Sequence, residues 1–162
     1  MIVQCWVKEC EVMKNEYKVI LNKMDWNNSE EIQLEGRREA SKVTDLKWLM
    51  QPVEYELGKG VWDNCAMVLS EKNDDKLVGY LDDLLEWLQD LNWPGSLTIL
   101  NRLLVFDEEI LKPRLEEIID IAYKDDDIDW LYNLSFLLKN DKLKSKINKN
   151  YLEILRKNNE RL

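Results

Sequence analysis

The side chains of this chain that could do acid–base chemistry are almost all carboxylates, because its 162 residues contain no histidine. Histidine is the usual base near neutral pH and the commonest metal ligand, so its absence argues against Ser and Cys triads and against metal centres. Cys5, Cys10 and Cys65 lack zinc-finger or redox spacing, and the Gly-Lys-Gly run at 58–60 lacks the rest of a phosphate loop. We therefore expect no enzyme, no metal and no cofactor.

The acidic residues are concentrated in the middle of the chain. Residues 74–129 hold 16 acidic and five basic side chains, net −11, within a total net charge of −9. Adjacent acids on a helix point in different directions, which is typical of a solvated face rather than a catalytic pair. A negative field of this kind repels nucleic acid and anionic membranes and attracts basic proteins. A basic protein, such as a toxin, is therefore the expected partner.

Two acidic groups about 34 residues apart are the candidate binding surface. In an array of stacked helices they would occupy neighbouring ridges, where their fields add. One aromatic residue at the edge of a leucine stripe would border the same surface. The candidate residues are Asp82, Asp83, Glu86, Asp90, Glu116, Glu117, Asp120 and Trp87.

The basic C-terminal segment offers an alternative function. Residues 139–162 hold eight basic and three acidic side chains, net +5. A clustered set of lysines and arginines is the electrostatic footprint of nucleic-acid binding. A nucleic-acid-associated protein would use Lys142, Lys144, Lys146, Lys149, Arg156, Lys157 and Arg161.

The elements that must position these residues are indicated by four tryptophans, Trp26, Trp62, Trp93 and Trp130, at intervals of 36, 31 and 37 residues. Each is followed three positions later by a small or short polar residue and six positions later by an apolar one. Such intervals are the length of a helix pair in a repeat protein. The register predicts that all four tryptophans are buried, and that Trp93→Ala destabilises the fold more than Trp87→Ala.

Helical periodicity extends over most of the chain. Leu77, Leu81, Leu84, Leu88 and Leu91 predict one core-facing helix, and Pro94 is expected in the first turn of the next. We expect an all-α single domain over 1–162, with an N-terminal extension of uncertain structure at 1–13 and a C-terminal capping helix at 141–158. No run is apolar enough for a membrane span or a signal peptide, which predicts a cytoplasmic protein. The other predicted helices cover about 17–24, 29–43, 45–50, 61–72, 94–106, 107–122 and 128–139.

The run Leu84-Leu-Glu-Trp-Leu-Gln-Asp-Leu-Asn-Trp-Pro-Gly95, with Asp129-Trp130-Leu131 beyond it, resembles the signature of an uncharacterised bacterial helical family. The family is known as a domain of unknown function and is similar to HEAT repeats. The resemblance is good over 74–140. It implies a HEAT-like α–α superhelix of about four helix pairs. Members of such families occur near toxin and immunity genes, which makes an immunity protein the specific form of the binding hypothesis.

Overall fold

The computed structural model describes residues 16–50 and 58–159, and within these ranges the chain is helical with no strand. The first helix, α1, occupies residues 16–23. The further α-helices are α2 (Glu30–Ala40), α3 (Trp62–Ser70), α4 (Asp74–Leu77), α5 (Leu81–Glu86), α6 (Ser96–Leu104), α7 (Glu108–Lys124), α8 (Ile128–Ser135), α9 (Asp141–Lys146) and α10 (Lys149–Asn159). Short 3₁₀ turns lie at Leu46–Leu49, Lys59–Val61, Val78–Tyr80, Trp87–Gln89 and Phe136–Lys139.

The helices form two layers around one apolar core. In the first layer α2 packs on α3, α3 packs on α6, and α6 contacts the 3₁₀ turn that follows α8. In the second layer α5 packs on α7, and α7 packs on α9 and α10. The core between them is a continuous cluster of buried apolar side chains that extends from Leu21 to Leu155. Helices that each bury one apolar face in this way stabilise one another.

Neighbouring units are joined by side chains that bind the carbonyl oxygens at the ends of first-layer helices. The Lys72 ammonium donates to the Ser41 carbonyl after α2. Arg102 Nε and Nη2 donate to the Lys72 carbonyl after α3, at 3.2 and 2.9 Å. Asn140 Nδ2 donates to the Leu104 carbonyl at the end of α6, at 3.0 Å. The last carbonyls of a helix have no partner within the helix, so these bonds satisfy them.

Several helices begin where the sequence predicts a cap. The Asp45 carboxylate accepts from the Lys47 backbone N–H and starts the 3₁₀ turn that follows it. The Asp107 carboxylate accepts from two backbone N–H groups of the first turn of α7. The Asp127 carboxylate accepts from the Trp130 N–H in α8. Short acidic side chains fit these positions because the first N–H groups of a helix have no acceptor within it.

Two long predicted helices are broken in the structure. The leucine-striped segment faces the core as predicted, but 3₁₀ turns at Val78–Tyr80 and Trp87–Gln89 interrupt it. Gly79 lies in the first turn and has a low helix propensity. The predicted helix over 141–158 is divided into α9 and α10 between Lys146 and Lys149. Pro94 lies before α6 rather than in its first turn, because Gly95 with φ +82° is the N-cap residue.

The prediction that all four repeated tryptophans are buried is wrong for the first of them. Trp62 and Trp130 are 1% and 5% exposed, and Trp93 is half-buried against the core, whereas Trp26 is 53% exposed. Trp26 stands four residues before α2, but Trp130 lies inside α8. The nearly even intervals in the sequence therefore do not place the four tryptophan side chains at equivalent positions in the structure.

The expected N-terminal extension at 1–13, with Cys5 and Cys10, lies outside the described residues. The described helices are all too short or too polar to cross a bilayer.

Candidate functional site

The candidate surface is an acidic ridge, which we define as Asp82, Asp83 and Glu86 of α5 with Glu117 and Asp120 of α7. The two helices pack directly against each other, so the two groups are neighbours as the sequence predicted. Asp82 and Glu117 are exposed, and the other three side chains are half-buried. Asp82 and Glu117 therefore bring two carboxylates together at the junction of the two helices, whereas Asp83 and Glu86 lie beside Lys47.

Arg114 joins the two halves of the acidic ridge. Its Nε donates to Asp82 Oδ1 at 2.9 Å, and its Nη2 forms an ion pair with the same carboxylate. Its Nη1 pairs with Glu117, one turn further along α7. One guanidinium thus links a carboxylate of α5 to a carboxylate of α7. Two carboxylates against one guanidinium leave a net negative charge at the junction.

The other carboxylates on α5 differ in their surroundings. Asp83 forms an ion pair with the Lys47 ammonium at 2.9 Å, which connects α5 to the 3₁₀ turn at Leu46–Leu49. Glu86 makes no hydrogen bond or ion pair among the described residues. Partial burial raises the pKa of the Glu86 carboxyl, and the Asp83 carboxylate raises it further, while Lys47 opposes this.

Asp120 is bound to the last helix. Its Oδ2 accepts a hydrogen bond from the Tyr151 hydroxyl of α10 at 2.9 Å. That bond is the main cause of the raised pKa of Tyr151, because the carboxylate holds the hydroxyl proton. The bond fixes the orientation of the Asp120 carboxylate.

Glu116 is not part of the open surface, contrary to the prediction. It is 9% exposed, and its carboxylate accepts from the Asn148 backbone N–H at 2.8 Å and from Asn148 Nδ2 at 3.0 Å. Lys112 lies 3.5 Å away on the same helix. A buried carboxylate needs such partners to offset the loss of hydration. Glu116 therefore holds the break between α9 and α10.

Trp87 is a core residue, and Asp90 is half-buried in a turn that follows α5. The Asp90 carboxylate accepts from the Asn92 backbone N–H at 2.8 Å and from its side-chain amide at 3.0 Å, which forms an Asx turn. Trp87 is 0% exposed, and its indole N–H donates to the Pro94 carbonyl at 3.1 Å. The proposed place of Trp87 beside a binding surface is therefore wrong, because the ring is wholly inside the core.

The run of residues 84–95 forms a packed corner. The Trp130 indole N–H donates to the Leu85 carbonyl at 3.0 Å, and Asn133 Nδ2 donates to the Gln89 carbonyl at 3.1 Å. The buried Ser96 hydroxyl lies within bonding distance of the Trp87 and Asp90 carbonyls, at 3.2 and 3.0 Å. These bonds satisfy backbone carbonyls at the end of the leucine-striped segment.

The basic residues of the alternative site are partly neutralised by the protein itself. Lys146 forms ion pairs with Glu108 and Glu109, and Lys157 pairs with Glu153 at 2.7 Å. Lys142, Lys144 and Lys149 are exposed. Arg161 lies outside the described residues.

The residues that hold the acidic ridge include three that the sequence analysis missed, Lys47, Arg114 and Tyr151. Arg114 stands three residues before Glu117, a spacing at which helical side chains meet, so this pair had a local signal. Lys47 and Tyr151 lie 36 and 31 residues from their acidic partners. No local spacing connects residues so far apart.

Metal and thiol chemistry has little support in the described ranges. No group of three or more His, Cys, Asp or Glu side chains there could hold a metal ion. Cys65 is buried, and burial raises the pKa of its thiol far above the ordinary range. A thiol of this kind is inert, because the thiolate is the reactive form.

Comparison with known proteins identifies a family for most of the chain. The family model described as Domain of unknown function (DUF5071) matches residues 59–161, a range that contains the corner at 84–95 and the acidic ridge. No curated protein matches the chain, and no solved structure does.

Proposed function

The chain belongs to the DUF5071 family, a domain of unknown function, and we propose that it is a non-enzymatic helical-repeat protein that binds a basic partner protein. The acidic ridge is the binding surface in this proposal. The observation that carries it is the shared contact of Arg114 with Asp82 and Glu117, which brings the carboxylates of two helices side by side.

The architecture in this proposal is a HEAT-like α–α superhelix of about four helix pairs. First-layer helices begin at residues 30, 62, 96 and 128, which gives steps of 32, 34 and 32 residues. Side chains from each following unit bind the ends of the helices before them, as at Ser41, Lys72 and Leu104. Contacts between successive units of nearly constant length are typical of repeat proteins.

A binding role is favoured over catalysis by what the polar residues do. The sequence has no histidine, and four of the five ridge carboxylates are engaged in fixed ion pairs or hydrogen bonds. Fixed carboxylates give a permanent field, which steers a basic partner and raises its association rate.

The specific form of the proposal is a cytoplasmic bacterial immunity protein that neutralises a basic toxin. A toxin that cleaves nucleic acid carries a positive surface for its substrate, and an acidic ridge is complementary to such a surface. Occlusion of that surface would block the toxin without any chemistry.

The experiment compares two triple variants with the same change in net charge. In D82N/D83N/E86Q the ridge loses three charges of α5. In the control D63N/E71Q/D129N, three exposed acids elsewhere are neutralised, whose carboxylates form no hydrogen bond or ion pair with a described side chain. Partners are captured from cells of the source organism, and the association rate of the purified partner is measured as salt is raised.

We expect the ridge variant to associate at least about tenfold more slowly at low salt, and the control to stay close to the wild type. Circular dichroism checks that both variants remain helical. Equal slowing of association in both variants would mean that the total charge of the protein, and not the acidic ridge, sets the association rate. Capture of the same proteins by the ridge variant, or tight binding of DNA or RNA in a gel shift, would contradict the proposal.

A further inference from the structure

A groove of about 430 Å³ lies in the C-terminal part of the described chain, and none of its lining residues belongs to the acidic ridge. It is bordered by the 3₁₀ turn Phe136–Lys139 and by helices α9 and α10. Three leucines line it, of which Leu155 is buried and Leu138 and Leu152 are half-buried against the core. The groove therefore offers an apolar surface at the terminal unit of the array.

Three cationic side chains line the same groove, namely Lys139, Lys144 and Arg156. The Lys139 ammonium lies 4.9 Å from the centre of the Phe136 ring, which holds it beside the groove. Lys139 and Lys144 are exposed, and neither forms an ion pair within the described ranges. Their neighbours differ, because Lys146 and Lys157 are paired with carboxylates. The groove thus places two exposed ammonium groups, those of Lys139 and Lys144, beside the leucines.

We propose that this terminal groove binds an acidic amphipathic segment of a partner protein. Leucine side chains of the segment would contact Leu138, Leu152 and Leu155, and its carboxylates would pair with the cations. An apolar surface beside cations suits a ligand that carries both kinds of group. A nucleic-acid backbone would use the cations alone and would leave the three leucines without an apolar contact.

This site shares no residue with the acidic ridge, and its charge has the opposite sign. A partner could occupy the ridge with a basic surface and the groove with an acidic segment. The groove can also be occupied when the ridge is neutralised, so the two proposals fail separately.

The test uses a short fluorescein-labelled helical peptide that presents leucines on one face and glutamates beside them. Binding to the full chain is followed by fluorescence anisotropy. One control peptide replaces the leucines by serine and keeps the charge, and a second replaces the glutamates by glutamine and keeps the apolar face. We expect each control peptide to bind at least about tenfold more weakly, because both kinds of contact contribute.

The protein variants are K139E/K144E and the control K142E/K149E. Both pairs carry the same change in charge, and Lys142 of α9 and Lys149 of α10 are exposed but do not line the groove. We expect at least about a tenfold loss of peptide affinity for the first pair and less than about threefold for the second.

Absence of peptide binding would overturn the proposal, as would equal losses for the two pairs of variants. Preferential binding of a single-stranded RNA or of vesicles containing phosphatidylserine, with loss in K139E/K144E, would assign the groove to a different class of ligand. The ridge variant D82N/D83N/E86Q is expected to bind the peptide as the wild type does.

Discussion

Two corners of the molecule contain the same turn but bury different side chains. In the first corner, residues 25–29, the Asp25 carboxylate accepts from the Asn27 backbone N–H and from its side-chain amide, both at 2.8 Å. In the second corner, residues 90–96, Asp90 makes the same pair of bonds to Asn92. Both turns lead into a first-layer helix. The Asx turn is therefore the element that the two corners share.

The tryptophans occupy different positions relative to these turns. Trp26 follows its aspartate by one residue and Trp93 by three. The residue three positions after Asp25 is Asn28, whose amide donates to the Asn22 and Lys23 carbonyls at the end of α1. Trp93 instead packs edge-on against Trp62, with ring centres 5.7 Å apart. One corner is held by polar bonds to backbone and the other by aromatic packing.

The comparison shows that an alignment on the aspartates matches the structure better than an alignment on the tryptophans. The Asp-x-Asn pattern at 25–27 and 90–92 was visible in the sequence. The repeats were aligned on the tryptophans because large aromatic residues are usually core anchors. A turn residue with a fixed bonding pattern is the more reliable marker of register here.

The largest expected effect compares Trp26 of the first corner with Trp87, whose ring lies beside Gly95 of the second corner. We expect Trp87→Ala to lower the free energy of unfolding by about 3–5 kcal/mol, because it leaves a cavity in the core. It also removes the donor to the Pro94 carbonyl. Trp26→Ala should cost less than about 1 kcal/mol, since the ring is largely exposed and the bonds of Trp26 to Gly60 and Gln33 are made by its backbone.

Urea denaturation of both variants measures this difference, with Trp93→Ala as a third member of the series. Because Trp93 is only half-buried, we expect Trp93→Ala to lower the free energy of unfolding by less than Trp87→Ala does. This is the reverse of the order expected from the sequence. Equal costs for Trp26→Ala and Trp87→Ala would mean that the two corners are packed alike.

The next prediction tests the close packing of Gly95 against α3 at the second corner. Gly95 has φ +82°, and a Cβ there would lie 2.6 Å from the Ala66 Cβ and 3.0 Å from the Trp62 carbonyl oxygen. Gly58 has φ +72° but nothing within 4 Å of such a Cβ. Alanine at either site costs about 1–3 kcal/mol in backbone strain. Gly95→Ala should cost about 1–3 kcal/mol more, because it also overpacks the core.

Thermal and urea unfolding of Gly95→Ala and Gly58→Ala provide the measurement. The ψ angles differ, −12° at Gly95 and −170° at Gly58, and the second conformation is the less accessible to alanine, so a larger loss for Gly95→Ala is due to the contact with α3. If both variants lose the same stability, the second corner has room for a side chain and its tight packing is not a requirement.

The sequence predicted the helices well where they depend on a capping residue or an apolar stripe within the same short segment. The starts at Asp45, Asp107 and Asp127 depend on short-range bonds between a side chain and the next turn, which the residue types indicate. The breaks at Gly79 and at Asn148 were missed. The second of these depends on Glu116, 32 residues away, whose carboxylate binds Asn148 only in the folded chain.

The candidate site was predictable in outline but not in detail. The helical positions of Asp82, Asp83 and Glu117 follow from periodicity, and they lie on adjacent helices as expected. Trp87 and Glu116 were misassigned. The sequence of a helix alone does not show which of its sides a neighbouring helix covers. The internal partners Lys47 and Tyr151 come from units before and after the ridge, so local pattern carries no sign of them.

A smaller effect tests what the two corners share. Asp25→Ala and Asp90→Ala each remove a carboxylate that accepts two hydrogen bonds in a partly exposed turn, and each should cost about 1 kcal/mol. The expected result is equality, in contrast to the tryptophan variants. Unfolding in urea measures both, and Asn27→Ala and Asn92→Ala serve as the matched variants of the partner residue. A cost at one corner alone would mean that only that turn depends on its aspartate.

The smallest effect concerns Glu86, which stands four residues before Asp90 as Leu21 stands four before Asp25. Leu21 is buried, whereas Glu86 is half-buried with a pKa raised first by desolvation and then by Asp83. A raised carboxyl pKa favours the protonated form in the folded state, so stability falls as pH rises from the ordinary glutamate value through the raised one. Glu86→Gln should therefore stabilise the protein near pH 7, by less than about 1 kcal/mol because solvent screens the group, and should be neutral near pH 3.

The matched variant Glu153→Gln is expected to change stability in the opposite direction, since the hydrogen bond of Glu153 to Lys157 lowers the pKa of Glu153 and adds stability that is lost as pH falls. Unfolding curves at both pH values measure the two differences, and a Glu86→Gln variant less stable than wild type at neutral pH would show that the charged carboxylate is needed where it stands.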